Sequence, residues 1–273
     1  MIFKRIAGVD LPIEEGYLSE IEKFCGRKKE TGDLTVINDI SDILREDYLN
    51  ESLRLPDRAM KNIKVGSDVW RRIMMMECDK AVHALSRLYA GRLNVVYPWR
   101  GALAFAYSFA MMRDVRHFHL GIARNEEKPD ETGEIWMPFD SSFISLIDEK
   151  ETIVIADPML ATGGSIKSLI ELMMSLNDKI SAKQFVILSV VSAPEGIFNT
   201  LNLFPGIKII TVALDWCLNG VGYIVPGLGD AGDKFFDGVS IEFFRKIRFM
   251  FSDYQWAVLK SRIVMANFAE EVA

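Results

Sequence analysis

The residues best suited to chemistry lie in one stretch, 152–176, in which an apolar segment is followed by a carboxylate and then by small residues. Asp157 comes directly after the apolar run Ile153–Ala156, and two glycines stand between Thr162 and Ser165. Glycines let a backbone approach an anion closely, hydroxyls donate hydrogen bonds to phosphate oxygens, and a carboxylate accepts them from a sugar diol. These residue types in this order predict a phosphate site beside a sugar-binding carboxylate.

A buried strand and a helix are predicted to position this loop. Four consecutive apolar residues before Asp157 are typical of a strand inside a parallel sheet. After the loop, apolar residues recur at helical spacing: Ile166, Leu169, Ile170, Met173 and Leu176. The first N–H groups of such a helix point at a bound anion, and its dipole favours negative charge. The alternative is an ordinary strand-to-helix turn with a Ser or Thr cap.

Other apolar segments extend this pattern along the chain. The stretch from Leu93 to Ala102 is predicted to be a buried strand that enters a turn at Pro98–Ala102, and 184–193 and 208–215 are predicted to be further strands. Helices are predicted from a cap at Ser67 through Leu88 and after Pro194. Alternating strands and helices of this kind predict an α/β fold with a parallel sheet flanked by helices.

Composition narrows the class of protein. The chain has 273 residues, of which 49% are hydrophobic and 26% charged, as in a globular protein with a sizeable core. The net charge of −6 argues against a general nucleic-acid binder. Cys25, Cys78 and Cys217 are few, odd in number and widely spaced, so we expect no disulfide framework and a cytoplasmic location. The N-terminus lacks the apolar stretch of a signal peptide, and the run 101–112 is too short to span a bilayer, so no membrane partner is expected.

The whole stretch Asp157–Ser165 resembles the loop that binds phosphoribosyl diphosphate (PRPP) in type I phosphoribosyltransferases. Pro158, where most relatives have a second acid, is similar to the uracil branch of that family. The resemblance implies that the 5′-phosphate of PRPP lies on the loop 161–165 and that Asp157 binds the ribose hydroxyls. The glycines are not followed by Lys-Ser/Thr, so this is not a Walker loop.

A second motif lies at 222–233, where several glycines and one proline predict a shaped loop. Taken alone, it could be a tight turn with Asp230 and Asp233 as local caps. Together with the first motif, it resembles the uracil-binding loop of the family, in which backbone groups bind the base. The uracil-binding residues implied are Tyr223, Ile224, Gly229, Asp230 and Ala231, and Asp230 is also implied to contact PRPP.

Two arginines match family positions that contact diphosphate or PRPP. Arg100 lies in Trp-Arg-Gly-Ala (99–102), where the uracil branch usually has Leu-Arg-Ala-Gly, and its forked cation suits phosphate oxygens. Arg124 begins Arg-Asn-Glu-Glu, as in the family. The alternative for Arg100 is a surface arginine after a strand. The lid segment of the family has a lysine that Trp136–Asp140 lacks.

His117 and His119 alternate with apolar residues, so both are predicted to share one face of a strand. Two histidines at this spacing could bind a metal, but a solvated strand face is the expectation.

The resemblance implies transfer of ribose 5-phosphate from PRPP to N1 of uracil, giving UMP and diphosphate, with Mg²⁺ bound with PRPP and no dedicated metal site in the protein. The catalytic residues implied are Asp157, Asp230 and Arg100. The PRPP-binding residues implied are Arg100, Arg124, Asp157, Pro158, Met159, Leu160, Ala161, Thr162, Gly163, Gly164, Ser165 and Asp230. The alternatives are a phosphoribosyltransferase for another pyrimidine-like base and a catalytically weak PRPP- or nucleotide-binding sensor.

Three regions are expected. Residues 1–90 are predicted to be a helical N-terminal region that packs on the core, and residues 91–239 to be a type I phosphoribosyltransferase-like core with the base-binding loop. Residues 240–273 are predicted to be an amphipathic helical tail. A homodimer or higher homo-oligomer is expected, with no nucleic-acid partner.

Overall fold

The structure is a computed structural model, and it describes residues 2–6, 9–13, 17–41, 44, 68–124, 132–136, 141–220, 222–229 and 231–236. The predicted tail at 240–273 lies outside the described residues, and so does Asp230. For Arg124 the structure describes the backbone but not the side chain.

The described strands are, in chain order, β1 (Ile2–Ile6), β2 (Val9–Ile13), β3 (Leu34–Val36), β4 (Leu93–Trp99), β5 (Val115–Arg124), β6 (Thr132–Trp136), β7 (Thr152–Ala156), β8 (Met159–Leu160), β9 (Phe185–Ser192), β10 (Lys208–Leu214), β11 (Cys217–Leu218) and β12 (Ile224–Val225). The described helices are α1 (Tyr17–Glu30), α2 (Asp68–Leu88), α3 (Ala106–Ala110), α4 (Gly164–Leu176), α5 (Pro194–Leu203) and α6 (Ala231–Phe236). Short 3-10 helices cover Gly101–Phe105, Ser141–Leu146 and Ala182–Gln184.

The central sheet has the strand order β3-β10-β9-β7-β4-β5-β6. All neighbours from β3 to β5 run parallel, and β6 pairs antiparallel with β5 at the edge. The two-residue strand β8 continues beyond β7 along β9. This arrangement confirms the predicted α/β parallel sheet.

Burial on both faces explains why the central strands are continuous apolar runs. Every residue of β4 and of β9 is buried, as a parallel sheet covered by helices on both sides requires. One apolar cluster includes side chains from α2 and from the 3-10 helix and α3 that follow β4: Trp70, Met74, Leu85, Phe105 and Phe109. The other includes side chains from α1, α4 and α5: Ile21, Leu169, Ile170 and Ile197.

The N-terminal region is not only helical. The predicted helix ending at Leu88 is confirmed as α2, although Ser67 lies outside the described residues. In addition, β1 and β2 form an antiparallel pair, and β3 joins β10 at the edge of the central sheet. The sequence analysis missed β3 because three residues are too few to show a period, and its pairing partner is far away in the chain. Part of the N-terminal region therefore belongs to the central sheet.

In the described ranges, no helix is both long enough and apolar enough to cross a membrane.

A buried amide fixes the C-terminal end of α4, the helix that begins at the predicted phosphate loop. Asn177 is 7% exposed. Its Nδ2 donates to the carbonyl oxygens of Ile144 at 2.9 Å and Ile147 at 3.0 Å. The segment that leads into β7 is thereby attached to the end of α4.

We expect Asn177→Ala to lower the free energy of unfolding by about 1–3 kcal/mol, because two buried carbonyls lose their donor. For a chain of this size, each kcal/mol corresponds to roughly 2–4 °C in Tm, which thermal unfolding followed by circular dichroism would measure. Asp178→Ala is the matched control, since Asp178 is the exposed neighbour, and it should change stability by less than about 0.5 kcal/mol. Equal melting temperatures for the two variants would contradict the role of Asn177.

Candidate active site

The candidate site lies at the carboxyl-terminal ends of the parallel strands. Asp157 follows β7 directly, Arg100 follows β4, and Arg124 is the last residue of β5. Because β7, β4 and β5 are parallel neighbours, these three residues meet at the same edge. Ligands of open α/β sheets bind at this edge.

Asp157 is held where the chain passes from β7 into β8. Its N–H donates to the Leu188 carbonyl at 2.9 Å, so the backbone stays along β9. The Asp157 side chain is half-buried, and its Oδ1 accepts a hydrogen bond from the Met159 N–H at 3.2 Å. This bond fixes the orientation of the carboxylate at the strand end.

The next residues are built into the sheet. The Pro158 carbonyl accepts from the N–H groups of Val190 and Val191, both at 3.0 Å, and the Leu160 carbonyl accepts from Ala193 at 2.9 Å. Pro158 and Leu160 are buried, and Met159 is half-buried. The hydrogen bonds that the Pro158 and Leu160 carbonyls accept therefore hold in place the backbone that leads into the loop 161–165.

The loop Ala161–Ser165 is half-buried throughout and leads into α4. Gly163 is the residue before the helix, with a φ of +85°, a left-handed conformation that favours glycine. It provides no side-chain cap for α4. The Thr162 hydroxyl accepts from the Gly164 N–H at 3.3 Å, which leaves its own hydrogen for donation. The start of α4 thus has the geometry of an anion site. The alternative prediction of a Thr cap also holds in part, because the Thr162 hydroxyl accepts from the Gly164 N–H.

Helix α5 packs against the loop Ala161–Ser165. A Cβ atom added at Gly196 would overlap the Ala161 carbonyl oxygen and would lie 2.9 Å from that of Leu160. Asn199 Nδ2 donates to the Thr162 carbonyl at 3.0 Å. Sequence analysis missed both residues as determinants of the site. A glycine in the first turn of a predicted helix was the available signal, because glycine is costly there unless close contact requires it.

The turn after β4 brings Arg100 next to the other two loops. Arg100 is exposed, and Ala102–Phe105 behind it are buried. A Cβ added at Gly101 would lie 3.6 Å from both the Gly232 nitrogen and Pro158 Cγ. The turn, the residue after Asp157 and the start of α6 are therefore in contact. The Trp99–Arg100 peptide bond is cis.

The histidines of β5 correct the expectation of a solvated face. His119 is 1% exposed, and its Nδ1 accepts from Trp99 Nε1 at 3.1 Å. Tyr97 hydroxyl and His117 Nδ1 are 2.9 Å apart, and the Tyr97 ring stacks on His119 with centroids 4.8 Å apart. Burial lowers the pKa of both imidazoles, well below the usual value for His119. Burial therefore disfavours their charged forms, and both rings pack on β4, the strand that Arg100 follows.

The predicted base-binding loop begins in a small hairpin formed by β11 and β12. Its tip is closed by Asn219, whose N–H donates to the Tyr223 carbonyl at 2.8 Å and whose Oδ1 accepts from the Tyr223 N–H at 2.9 Å. A Cβ added at Gly222 would lie 3.9 Å from Thr162 Cγ2, so the hairpin adjoins the phosphate loop. The predicted shaped loop thus contains one short strand, and Ala231 begins the short helix α6.

The structure brings most of the predicted site residues together. Gly101 of the turn at Arg100 lies next to Pro158, and Gly222 of the hairpin β11–β12, here called the base hairpin, lies next to Thr162. Ile224 and Ala231 are buried, and Tyr223 is half-buried. Gly229 has a φ of +65°.

Helix α6 adds a cation that sequence analysis missed. Lys234 is half-buried, and burial lowers its pKa to about 8.

A comparison with protein families matches residues 83–238 to the uracil phosphoribosyltransferase family. The match spans more than half of the chain. The chain belongs to the uracil phosphoribosyltransferase family. The matched residues run from the end of α2 to just beyond α6 and include every described part of the site.

One solved structure supports the fold, and two others are less similar. The AQ2163 protein of Aquifex aeolicus is 23% identical, with a TM-score of 0.52 over 62% of this chain and 86% of that one. The adenine phosphoribosyltransferase of Giardia lamblia, in complex with 9-deazaadenine, is 13% identical, with a TM-score of 0.42 over 57% and 84%. A purine phosphoribosyltransferase of Pyrococcus horikoshii is 21% identical, with a TM-score of 0.36 over 52% and 87%. Family membership and the type I phosphoribosyltransferase-like fold support a phosphoribosyltransferase activity.

We expect Gly196→Ala to weaken PRPP binding at least about tenfold, because the added methyl group forces the Ala161 carbonyl and its loop to move. Displacing a binding group by about 1 Å can cost two orders of magnitude in rate. Isothermal titration calorimetry with PRPP would measure the effect.

The matched control for Gly196→Ala is Gly26→Ala in α1. A Cβ added at Gly26 would meet nothing within 4 Å, so PRPP affinity should be unchanged. Circular dichroism shows whether each variant is folded. A folded Gly196→Ala variant with wild-type PRPP affinity would contradict the contact between α5 and the loop.

Proposed function

We propose that the protein transfers ribose 5-phosphate from PRPP to N1 of uracil, giving UMP and diphosphate. The observation that supports this most is the contact between an anion-binding helix start at Gly163 and the base hairpin at Gly222, through Thr162. A nucleotide product needs these two sites side by side. Membership of the uracil phosphoribosyltransferase family supports the same conclusion.

The loop 161–165 is proposed to bind the 5′-phosphate. The first N–H groups of α4 have no partner within the helix, and the dipole of α4 favours the anion. Thr162 and Ser165 donate hydroxyl hydrogen bonds to phosphate oxygens. Asp157 accepts hydrogen bonds from the ribose hydroxyls, with its orientation fixed by Met159.

Arg100 and Arg124 are proposed to neutralise the diphosphate. A guanidinium binds phosphate oxygens through two parallel hydrogen bonds. Mg²⁺ commonly binds substrate phosphates together with one or two carboxylates, and Asp157 provides one carboxylate, so the residues present fit such an ion. When bound, the ion would offset charge on the leaving diphosphate.

The reaction breaks the bond between C1′ and the diphosphate oxygen and forms the bond between C1′ and N1 of uracil. The sugar passes through an oxocarbenium-like transition state, so positioning and charge stabilisation matter more than a strong nucleophile. The uracil N1 proton must leave. Asp230 is proposed either to orient PRPP or to accept that proton.

Base selection is proposed to rest on the backbone around Tyr223, Ile224, Gly229 and Ala231. Uracil presents an acceptor, a donor and an acceptor along one edge. A fixed backbone pattern that matches this order rejects the amino group of cytosine, because burying a mismatched polar pair is costly. A related pyrimidine-like base is the second candidate, favoured by the segment Trp136–Asp140, which lacks the lysine of the family's lid.

The protein is proposed to act in the cytoplasm as a homodimer or higher homo-oligomer. All three cysteines are free and buried, which fits a reducing compartment.

The first test measures, by chromatography, the formation of UMP from uracil and PRPP in the presence of Mg²⁺. We expect the wild type to turn over and Asp157→Asn to lose most of its activity, since the neutral amide is a weaker acceptor for the ribose diol. Activity with another pyrimidine and not with uracil would replace the substrate in the proposal. Binding of PRPP without turnover of any base would favour a sensor.

Arg100→Ala should weaken PRPP binding about tenfold or more and reduce its salt dependence, because one cation at the diphosphate is lost. Arg100→Lys should recover part of the affinity, since it restores the charge but not the fork. Arg113→Ala is the control, as Arg113 is exposed on the segment before β5. If Arg100→Ala and Arg113→Ala bind PRPP equally well, the diphosphate lies elsewhere.

A further inference from the structure

A buried carboxylate closes the open end of the hairpin in which the predicted base-binding loop begins. Asp215 follows β10 and is 4% exposed. Its N–H donates to the Ser192 carbonyl at 2.9 Å, and its Oδ2 accepts from the Gly227 N–H at 2.8 Å. The loop is thereby attached to the ends of the two central strands β9 and β10.

A second carboxylate binds the same hairpin from α5. Glu195 is half-buried, and its Oε1 accepts from the Leu218 N–H of β11 at 3.0 Å. Burial raises the pKa of this carboxyl, and the hydrogen bond from Leu218 opposes that rise. Glu195 precedes Gly196, which packs on the phosphate loop. One turn of α5 thus contacts both predicted subsites.

The bond to Gly227 acts on a tightly folded segment. Gly227 has a φ of +60°, and a Cβ added there would overlap the Ile224 carbonyl oxygen. Trp216 donates its N–H to the Val225 carbonyl at 2.9 Å. Gly227 therefore packs closely on the Ile224 carbonyl. A movement of Gly227 away from Asp215 would disturb this contact with Ile224, which is a proposed base contact.

We propose that Asp215 and Glu195 are positioning residues that hold the backbone of residues 217–220 and 222–229 in its base-binding conformation. They are proposed to act through Gly227 and Leu218 and not to touch the base. The inference rests on the proposed function, because it assigns these carboxylates to the base subsite of that reaction. Each carboxyl binds a backbone N–H group of another segment at 3.0 Å or less.

Steady-state kinetics with base and PRPP varied in turn test the proposal. Asp215→Ala should raise KM for the base at least tenfold and change KM for PRPP less than threefold, because the phosphate loop packs on α5 rather than on Gly227. Asp215→Asn, which keeps an acceptor oxygen, should show a smaller rise. Glu195→Ala should raise KM for the base at least fivefold, and Glu195→Gln should recover most of the loss.

Asp178→Ala is the control for removal of an aspartate, since Asp178 is exposed, and its kinetics should match the wild type. A folded Asp215→Ala variant with an unchanged KM for the base, or with equal rises in both KM values, would overturn the proposal. A variant that only melts earlier, with unchanged KM values, would show a merely structural role.

Amide hydrogen exchange separates this inference from the proposed function. In the wild type and in Asp215→Ala, exchange is measured by mass spectrometry on peptides that cover 217–229 and 185–192. We expect faster exchange in the first segment and no change in β9. If the wild type turns over no base, the proposed function fails, and exchange alone decides whether Asp215 holds the segment. Unchanged exchange at 217–229 would overturn that role.

Discussion

The geometry of the site depends on the close approach of two backbones, that of α5 at Gly196 and that of the loop at Ala161. No side chain can be accommodated between them. Their contact sets the height of the phosphate loop above the sheet, and Asn199 maintains it with a hydrogen bond. Since β9, a strand whose residues are all buried, leads directly into α5, the position of the loop is tied to the core of the sheet.

The two proposed subsites are joined through α5. The phosphate loop and the base hairpin come from different parts of the chain, yet both contact α5, one at Gly196 and the other at Glu195. Covalent bonds limit the distance between phosphate and base in a nucleotide. One helix that contacts both proposed subsites sets their separation, and sites supported by helices are positioned more precisely than sites on loops alone.

Sequence alone predicted the elements whose signal is local. The strand before Asp157, the glycine loop and α4 are contiguous, and burial of Ile166, Leu169, Ile170 and Met173 confirms the helical period. Leu176 is the exception, with 38% exposure. The motifs that carry the resemblance to the family, Asp157–Ser165 and 222–233, lie within the matched range of 83–238.

What sequence could not predict depends on contacts between distant segments. The strand β3 needs β10 to form, and His119 is buried because Tyr97 and Trp99 of the neighbouring strand pack on it. The support given by Asn199, Asp215 and Glu195 is likewise invisible in the chain order, since each binds a backbone group of another segment. From the sequence alone, polar residues of this kind are predicted to be solvated or to cap helices, because their partners are not yet known.

The turn at Arg100 has Gly-Ala where relatives usually have Ala-Gly, and the surroundings of Gly101 show what that exchange means. A methyl group at 101 would meet Gly232 and Pro158 at ordinary van der Waals separation. The methyl of Ala102 is completely buried in the core. The space around Gly101 accepts a methyl group, so an alanine at this position does not require another shape of the turn.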